Sequence, residues 1–202
     1  NINPKFISAG YIDIVPDGFI GIYDVNDLNS IRENLSGNYI LMTDLNLEND
    51  TTENGEFYNE GNGWEPIGSS DEPFTGIFDG NGFIISDAYF TPNIESDYVA
   101  GLFGYNNGEI KNLGCNAFSF SPIIFVYKDP TFIDGYIGSI AGVNNGVISD
   151  CFVTGTLNLS MNIKNDDGFR NFFNNIFFGN IVGVNDGGII EKSFFSGKLS
   201  FM

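Results

Sequence analysis

Three stretches of this chain repeat one short pattern: "GYNNGEIKNLGC" from Gly104, "GVNNGVISDCFVTG" from Gly142 and "GVNDGGIIEKSFFSG" from Gly183, with a looser relative, "DGNGFIISDAYF", from Asp79. Each sets Asn and Gly inside a run that otherwise reads as strand. Self-similarity at this length confines a chain to a solenoid, a propeller or an array, because one unit cannot bury its apolar face alone and must stack on its neighbours.

Aligning the glycines puts apolar residues in columns: Tyr98, Tyr136 and Phe177; Val99, Ile137 and Phe178; Leu102, Ile140 and Ile181; Tyr105, Val143 and Val184; and, after the turn, Ile110, Ile148 and Ile190. "ISDAYF" from Ile85 aligns in the same way with "ISDCFV" from Ile148. Measured at Gly82, Gly108, Gly146 and Gly187, the repeat spacings are 26, 38 and 41 residues by subtraction. Asn-Gly is a strong hairpin signal, so a propeller of repeated hairpins competes. A four-stranded blade needs about 40 residues, however, and a 26-residue unit is too short for one. The reading that remains is all-β: a parallel, right-handed β-helix whose coils place like residues over like at about 4.8 Å. Asn106, Asn144 and Asn185 then form a side-chain ladder at one corner, beside the turn glycines Gly108, Gly146 and Gly187, because Asn tolerates the left-handed region and Gly enters it freely.

Upstream the period changes. Leu28, Ile31 and Leu35 fall at helical spacing after an N-cap at Asp24 or Asn26, and Gly37 stops the helix. The domain reading is therefore a lead-in over 1–23, a capping helix over 24–37 that shields the first coil's edge, and the β-helix over 38–202. Two stretches, 122–135 and 162–178, interrupt the solenoid at equivalent places.

The residues "LSGNYILMTDLNL", "GWEPIGSSDEPFTGIFDGNGFIISDAYF" and "GLFGYNNGEIKNLG" resemble the GLUG-motif repeat region of bacterial surface proteins, including filamentous-haemagglutinin-like adhesins and the regions flanking immunoglobulin A protease-like metallopeptidases. The resemblance runs from about Tyr23 to Leu199. It implies a parallel β-helix at a cell surface, with the repeats serving as scaffold, and it brings no catalytic residues.

Composition bounds the chemistry. With 26 acidic and 8 basic residues the net charge is −18, a surface that repels nucleic acid and anionic membranes, so no nucleic-acid partner and no membrane insertion are expected. The 15% aromatic content is too high for a disordered acidic tail. No apolar run approaches the ~20 residues of a membrane helix. The first residues lack a signal peptide's basic and apolar regions, and the last, "SGKLSFM", still read as strand, which suits an excised piece of a longer exported protein. The chain has no His, which removes His triads and His-ligated zinc. Asp44, Asp79 and Asp87 are the carboxylates to weigh for glycoside hydrolysis, a reaction needing two carboxyls about 5–9.5 Å apart; Asp87 and Asp150 share a column in the alignment. Cofactors are expected to be none, with Ca²⁺ conceivable at Asp79/Asn81 ("DGNG") or Asp166/Asp167 ("NDDG"), against a solvated turn. Cys115 and Cys151 lie two columns out of step and read as inward-facing free thiols. Sequons occur at Asn34, Asn49 and Asn158.

Binding specificity is expected in the two interrupting stretches, which carry Phe125, Tyr127, Phe132, Phe169, Arg170, Phe172 and Phe173. The alternative is that these stretches fold back as extra strands or a short helix and bury their rings against one flank. Trp64 in "GWEPIG" is either a sugar-stacking platform or a packing residue. The functional expectation is a non-catalytic extracellular or cell-surface module, a stalk and display scaffold binding a host protein, a glycan or a neighbouring cell. A polysaccharide-degrading β-helix enzyme and a filament subunit that self-associates through its open coil end are the alternatives.

Overall fold

The computed structural model describes residues 13–91, 93–94, 98–121, 123–125, 132–159, 162–164 and 172–201. Every strand pairing in it is parallel, and an isolated Gly63–Phe90 bridge supplies the antiparallel exception. The Asn-Gly turns therefore bend the chain from one face of a solenoid to the next without reversing it. The all-β, parallel β-helix expected from the repeats is the observed fold, with a short helix near its N-terminus.

Five faces make up the wall. The first stacks Ile20–Ile22, Asn38–Leu41, Ile77–Asp79, Glu109–Lys111, Val147–Ser149 and Ile189–Glu191. The second stacks Leu45–Asn46, Ile84–Ser86, Gly114–Asn116, Phe152–Leu159 and Phe194–Phe201, joined past a corner by Tyr89–Phe90 and Ser119–Phe120. The third holds Asn93–Ile94, Ile123–Phe125 and Asn162–Lys164, and the fourth Tyr98–Ala100, Phe132–Gly138 and Phe172–Gly179. The fifth holds Phe103–Asn106, Ala141–Asn144 and Val182–Asn185. Three full coils result, above an irregular first turn that contributes Ile67 and Phe74 as single bridges to the fifth face.

Alternation along each strand decides what is inside. Tyr39, Phe78, Ile110 and Ile148 form one inward column on the first face, and Leu45, Ile85, Cys115 and Val153 form another on the second; all are buried. Burying a large aliphatic or aromatic side chain contributes about 1.5–3 kcal/mol, so these columns dominate the fold's stability. Rings pack between the first and fifth faces: Phe74 and Phe103 lie 4.9 Å apart, and Phe78 and Phe103 5.4 Å. Ile110, Ile140 and Ile148 are buried beside them, and Phe120 packs on Phe90 at 4.7 Å and on Phe178 at 6.0 Å. Ile190, Phe195 and Leu199 continue the columns in the last coil, where they are only partly buried.

The N-terminal helix spans Val25–Ser30 and tightens to a 3-10 turn at Ile31–Glu33. Asp24 is its cap: Oδ1 accepts from the Asp27 N–H at 2.8 Å, while the Asp27 carboxylate reaches back past the cap and accepts from the Tyr23 N–H at 2.9 Å. Val25, Leu28 and Ile31 are buried against the first coil.

Register corrects the sequence alignment at five points. Val99 pairs with Tyr136 and Ala100 with Ile137, so Tyr98 stands opposite Gly135 rather than Tyr136. The cause is local: Ala100 to Phe103 is three steps, but the partners Ile137 to Ala141 are four, so the second repeat carries an extra residue at that corner. Second, Gly188, not Gly187, continues the column of Gly108 and Gly146, since Ile189 is the partner of Val147. Gly187 is the inserted residue, at φ +79° with open space around it. Third, Ile77 pairs with Glu109, so on the first face this coil advances 32 residues by subtraction rather than 26. Gly82 belongs to a different corner, where its N–H donates to Asn112 O. Fourth, Ile85 pairs with Cys115 and through it with Val153, whereas Ile148 pairs with Ile110 on the first face, so "ISDAYF" and "ISDCFV" are offset by five residues and Ile85 and Ile148 lie on different faces. Fifth, Asp87 shares a corner with Ala117, whereas Asp150 follows Ser149 at the corner of Asn112, so the two acids share no column.

The stretches 122–135 and 162–178 include wall. Ile123–Phe125 and Asn162–Lys164 are register partners on the third face, and Phe132–Gly138 and Phe172–Gly179 on the fourth.

Candidate functional site

At the corner between the fifth and first faces, Asn106 Nδ2 donates to Asn144 Oδ1 at 2.7 Å and Asn144 Nδ2 donates to Asn185 Oδ1 at 2.7 Å. Asn106 and Asn144 are fully buried. Each amide also serves its own turn: Asn106 Oδ1 accepts from the Gly108 N–H at 3.1 Å, and Asn185 Nδ2 donates to Gly188 O at 2.8 Å. The ladder amides are committed to one another and to their own turns, a structural role.

Among the residues expected to bind, Phe125, Phe132, Phe172 and Phe173 lie in the third- and fourth-face strands. Tyr127, Phe169 and Arg170 lie outside the described residues, as do Asp166 and Asp167. The described carboxylates considered for catalysis or calcium each serve the backbone or an amide of their own corner. Asp79 Oδ1 accepts from the Asn81 N–H at 2.8 Å and from Asn112 Nδ2 at 3.0 Å. Asp44 Oδ1 accepts from the Ile84 N–H at 2.8 Å, and Asp87 Oδ2 from Asn46 Nδ2 at 2.9 Å. Each holds a corner, and among the described residues no three Asp, Glu, Cys or His side chains converge. Both cysteines are free and buried. Burial pushes the Cys151 thiol up to about 12 and that of Cys115 well above its ordinary value, so neither is a nucleophile at neutral pH.

The concave surface lies elsewhere, beside the first turn. The segment Tyr58–Pro66 separates two adjoining clefts of about 250 and 270 Å³, with Asn59, Trp64 and Glu65 lining both. Asn59 (φ 47°) and Glu60 (φ 52°) take left-handed conformations, which Asn tolerates and which cost a residue such as Glu about 1–2 kcal/mol. A network of backbone hydrogen bonds holds them there: Gly63 N–H to Tyr58 O at 2.9 Å, Trp64 N–H to Tyr89 O at 2.8 Å and Thr91 N–H to Asn62 O at 2.7 Å. Trp64 is 2% exposed; its indole N–H donates to Leu102 O at 3.2 Å, and the Arg32 guanidinium sits 5.1 Å from its ring centroid. It is a packing residue and not an open stacking platform. Arg32 clamps the capping helix to this segment, with Nη1 donating to Pro66 O at 2.9 Å, Nη2 to Glu65 O and Nε to Asn29 Oδ1 at 2.9 Å. Sequence reasoning missed this cleft because its residues come from the irregular turn, where no period marks them. The run "NEGNG" was the available signal, being rich in residues that accept positive φ.

These features define the class of protein: a parallel β-solenoid with a helix packed on its first coil and a structural asparagine corner. No family model matches the chain. It is 31% identical over 163 residues to Halomucin of Haloquadratum walsbyi, covering 78% of this chain and 2% of that protein. Over 95 residues it is 35% identical to a Gly-rich membrane protein of Evansella cellulosilytica, covering 46% of this chain and 10% of the relative. The chain thus spans a tenth or less of the relatives it matches. An immunoglobulin A1 protease-like protein from Bacteroides ovatus has a similar solved structure, with a TM-score of 0.50 at 18% identity over 88% of this chain and 56% of that one. That likeness is one of fold. No helix among the described residues is long and apolar enough to cross a membrane.

Proposed function

We propose that this chain is a non-catalytic, extracellular or cell-surface module of an adhesin-like protein. It acts as a rigid stalk and display scaffold, and the connections between its third and fourth faces meet a host protein, a glycan or a neighbouring cell. One observation carries the reading. The coils keep strict register on the first and fifth faces, while the connection between the third and fourth lengthens, from Ile94–Tyr98 to Phe125–Phe132 to Lys164–Phe172. A repeat scaffold that holds its frame and varies one side concentrates specificity on that side. The absence of His, the use of Asp44, Asp79 and Asp87 in corner hydrogen bonds and the buried thiols favour binding over catalysis. Relatives named as a membrane protein and a mucin fit a surface setting.

The test is to replace 126–131 and 165–171 with the short 95–97 connection and to measure attachment of the purified chain to cells and to a glycan array. Loss of attachment with an unchanged far-ultraviolet spectrum supports the reading. Undiminished attachment, or cleavage of any arrayed glycan, contradicts it.

A further inference from the structure

We propose that the cleft between the Tyr58–Pro66 segment and the fourth-face strand Tyr98–Ala100 binds a single neutral sugar ring. This site is separate from the lengthened connections and does not depend on them. Asn59, Asn62 and Glu65 line the cleft, and their side chains make no hydrogen bond with any described residue. Pro66, Val99 and the edge of Trp64 supply the apolar wall. Two carboxamides and a carboxylate beside an apolar wall match a pyranose, whose vicinal hydroxyls both donate and accept while its C–H face is apolar. One residue beyond Phe90, Thr91 is 5% exposed and its Oγ1 also lacks a partner among the described residues.

Three considerations narrow the ligand. The volume, about 250 Å³, lies below the roughly 300–1,000 Å³ of sites for drug-sized ligands, which suits one ring and not an extended peptide. The lining carboxylate Glu65 is exposed and repels anions, and Arg32 lines the other cleft with its Nε, Nη1 and Nη2 donors turned to Asn29, Pro66 O and Glu65 O, so a uronic acid or phosphate finds no cationic donor in this cleft. The cleft is also pre-formed: the hydrogen bonds that hold Asn59 and Glu60 at positive φ fix the loop before any ligand arrives, which lowers the ordering cost of binding a weak ligand.

The experiment titrates the isotope-labelled 202-residue chain with the methyl pyranosides of glucose, galactose, mannose and N-acetylglucosamine, with methyl glucuronoside and with tetramethylammonium, following amide and indole shifts. At least one neutral pyranoside should give saturable, millimolar shifts at Asn62, Ala100 and the Trp64 indole, with glucuronoside at least tenfold weaker. Asn62→Ala with Asn59→Gly, the latter chosen because glycine keeps the positive φ, should weaken binding at least tenfold while the Asn185 corner resonances stay in place. Glu65→Gln should cost only a few-fold, because the amide still bonds hydroxyls. No neutral sugar binding, equal binding of glucuronoside, full binding by the Asn62→Ala, Asn59→Gly variant, or a preference for tetramethylammonium that Glu65→Gln abolishes would each overturn the assignment.

Discussion

Asn144 sits between Asn106 and Asn185 with a 2.7 Å hydrogen bond to each, in a corner where Asn106 and Asn144 are fully buried. Removing the middle amide strands a buried donor below it and an acceptor above it. Asn144→Ala should destabilise the chain by about 2–4 kcal/mol, as two groups lose their partners. That should lower Tm by about 5–15 °C for a domain of this size. The exposed neighbour substitution Asn107→Ala should stay within about 0.5 kcal/mol. Equal effects in thermal melts would show that the ladder is incidental.

The corrected glycine column makes a sharper prediction. A Cβ on Gly188 would lie 2.7 Å from Asn144 O, 2.8 Å from Gly146 O and overlap Asn144 Nδ2, whereas one on Gly187 meets nothing within 4 Å. Gly188→Ala should cost about 3 kcal/mol or more by overpacking against backbone. Gly187→Ala should cost about 1–2 kcal/mol, the penalty of a left-handed alanine. Chemical denaturation of both variants checks the order, and the reverse order would restore the alignment through Gly187.

How much could be seen in the sequence follows from what recurs. The Asn106–Asn144–Asn185 and Ile110–Ile148–Ile190 columns are visible because identical residues return at each coil. The errors arise where composition repeats but position does not. "DGNG" at Asp79 looks like the Asn-Gly corner yet turns the chain after the first face, where Asn81 holds φ 51°. Two adjacent glycines at Gly187 and Gly188 leave the register undetermined by one residue, and a period-two strand gives no warning of a single extra residue at a corner. The clefts beside Trp64 were out of reach because their walls join residues of the first turn to strands a coil away, with no repeat to relate them.

The thiols set an alkaline limit on stability. Burial holds Cys151 near 12 and Cys115 well above the ordinary 9.0. Both titrate first in the unfolded chain, so their contribution is complete below about pH 9 and is lost as pH rises from there towards 12. Unfolding free energy measured in urea should therefore be flat from pH 7 to 8.5 and fall above pH 9, and Cys151→Ser should not remove the Cys115 share. Rapid alkylation of either thiol in the native protein at pH 8 would contradict their burial.

The net charge of −18 predicts a salt response. Among the described residues, Lys111–Glu109 at 3.2 Å and Lys192–Asp150 at 3.9 Å are the ion pairs, so most acids repel without compensation. Screening shortens that repulsion from about 30 Å at 0.01 M salt to about 3 Å at 1 M. Tm should rise steadily between those concentrations in KCl. A falling Tm would mean that attractive pairs outweigh the repulsion.

Successive coils run in the same direction, with Asn106, Asn144 and Asn185 in register. Asn107 and Asn145 are exposed and follow the partners Asn106 and Asn144, so their Cα atoms should lie about 5 Å apart, within disulfide range. Mild oxidation of Asn107→Cys with Asn145→Cys should give a monomeric cross-link in the folded chain. Asn107→Cys with Asp186→Cys, two coils apart, and Tyr105→Cys with Lys111→Cys, across a single turn, should stay reduced. A cross-link in the Tyr105/Lys111 pair and none in the Asn107/Asn145 pair would mean that the Asn-Gly turns fold back as hairpins, and the solenoid would be wrong.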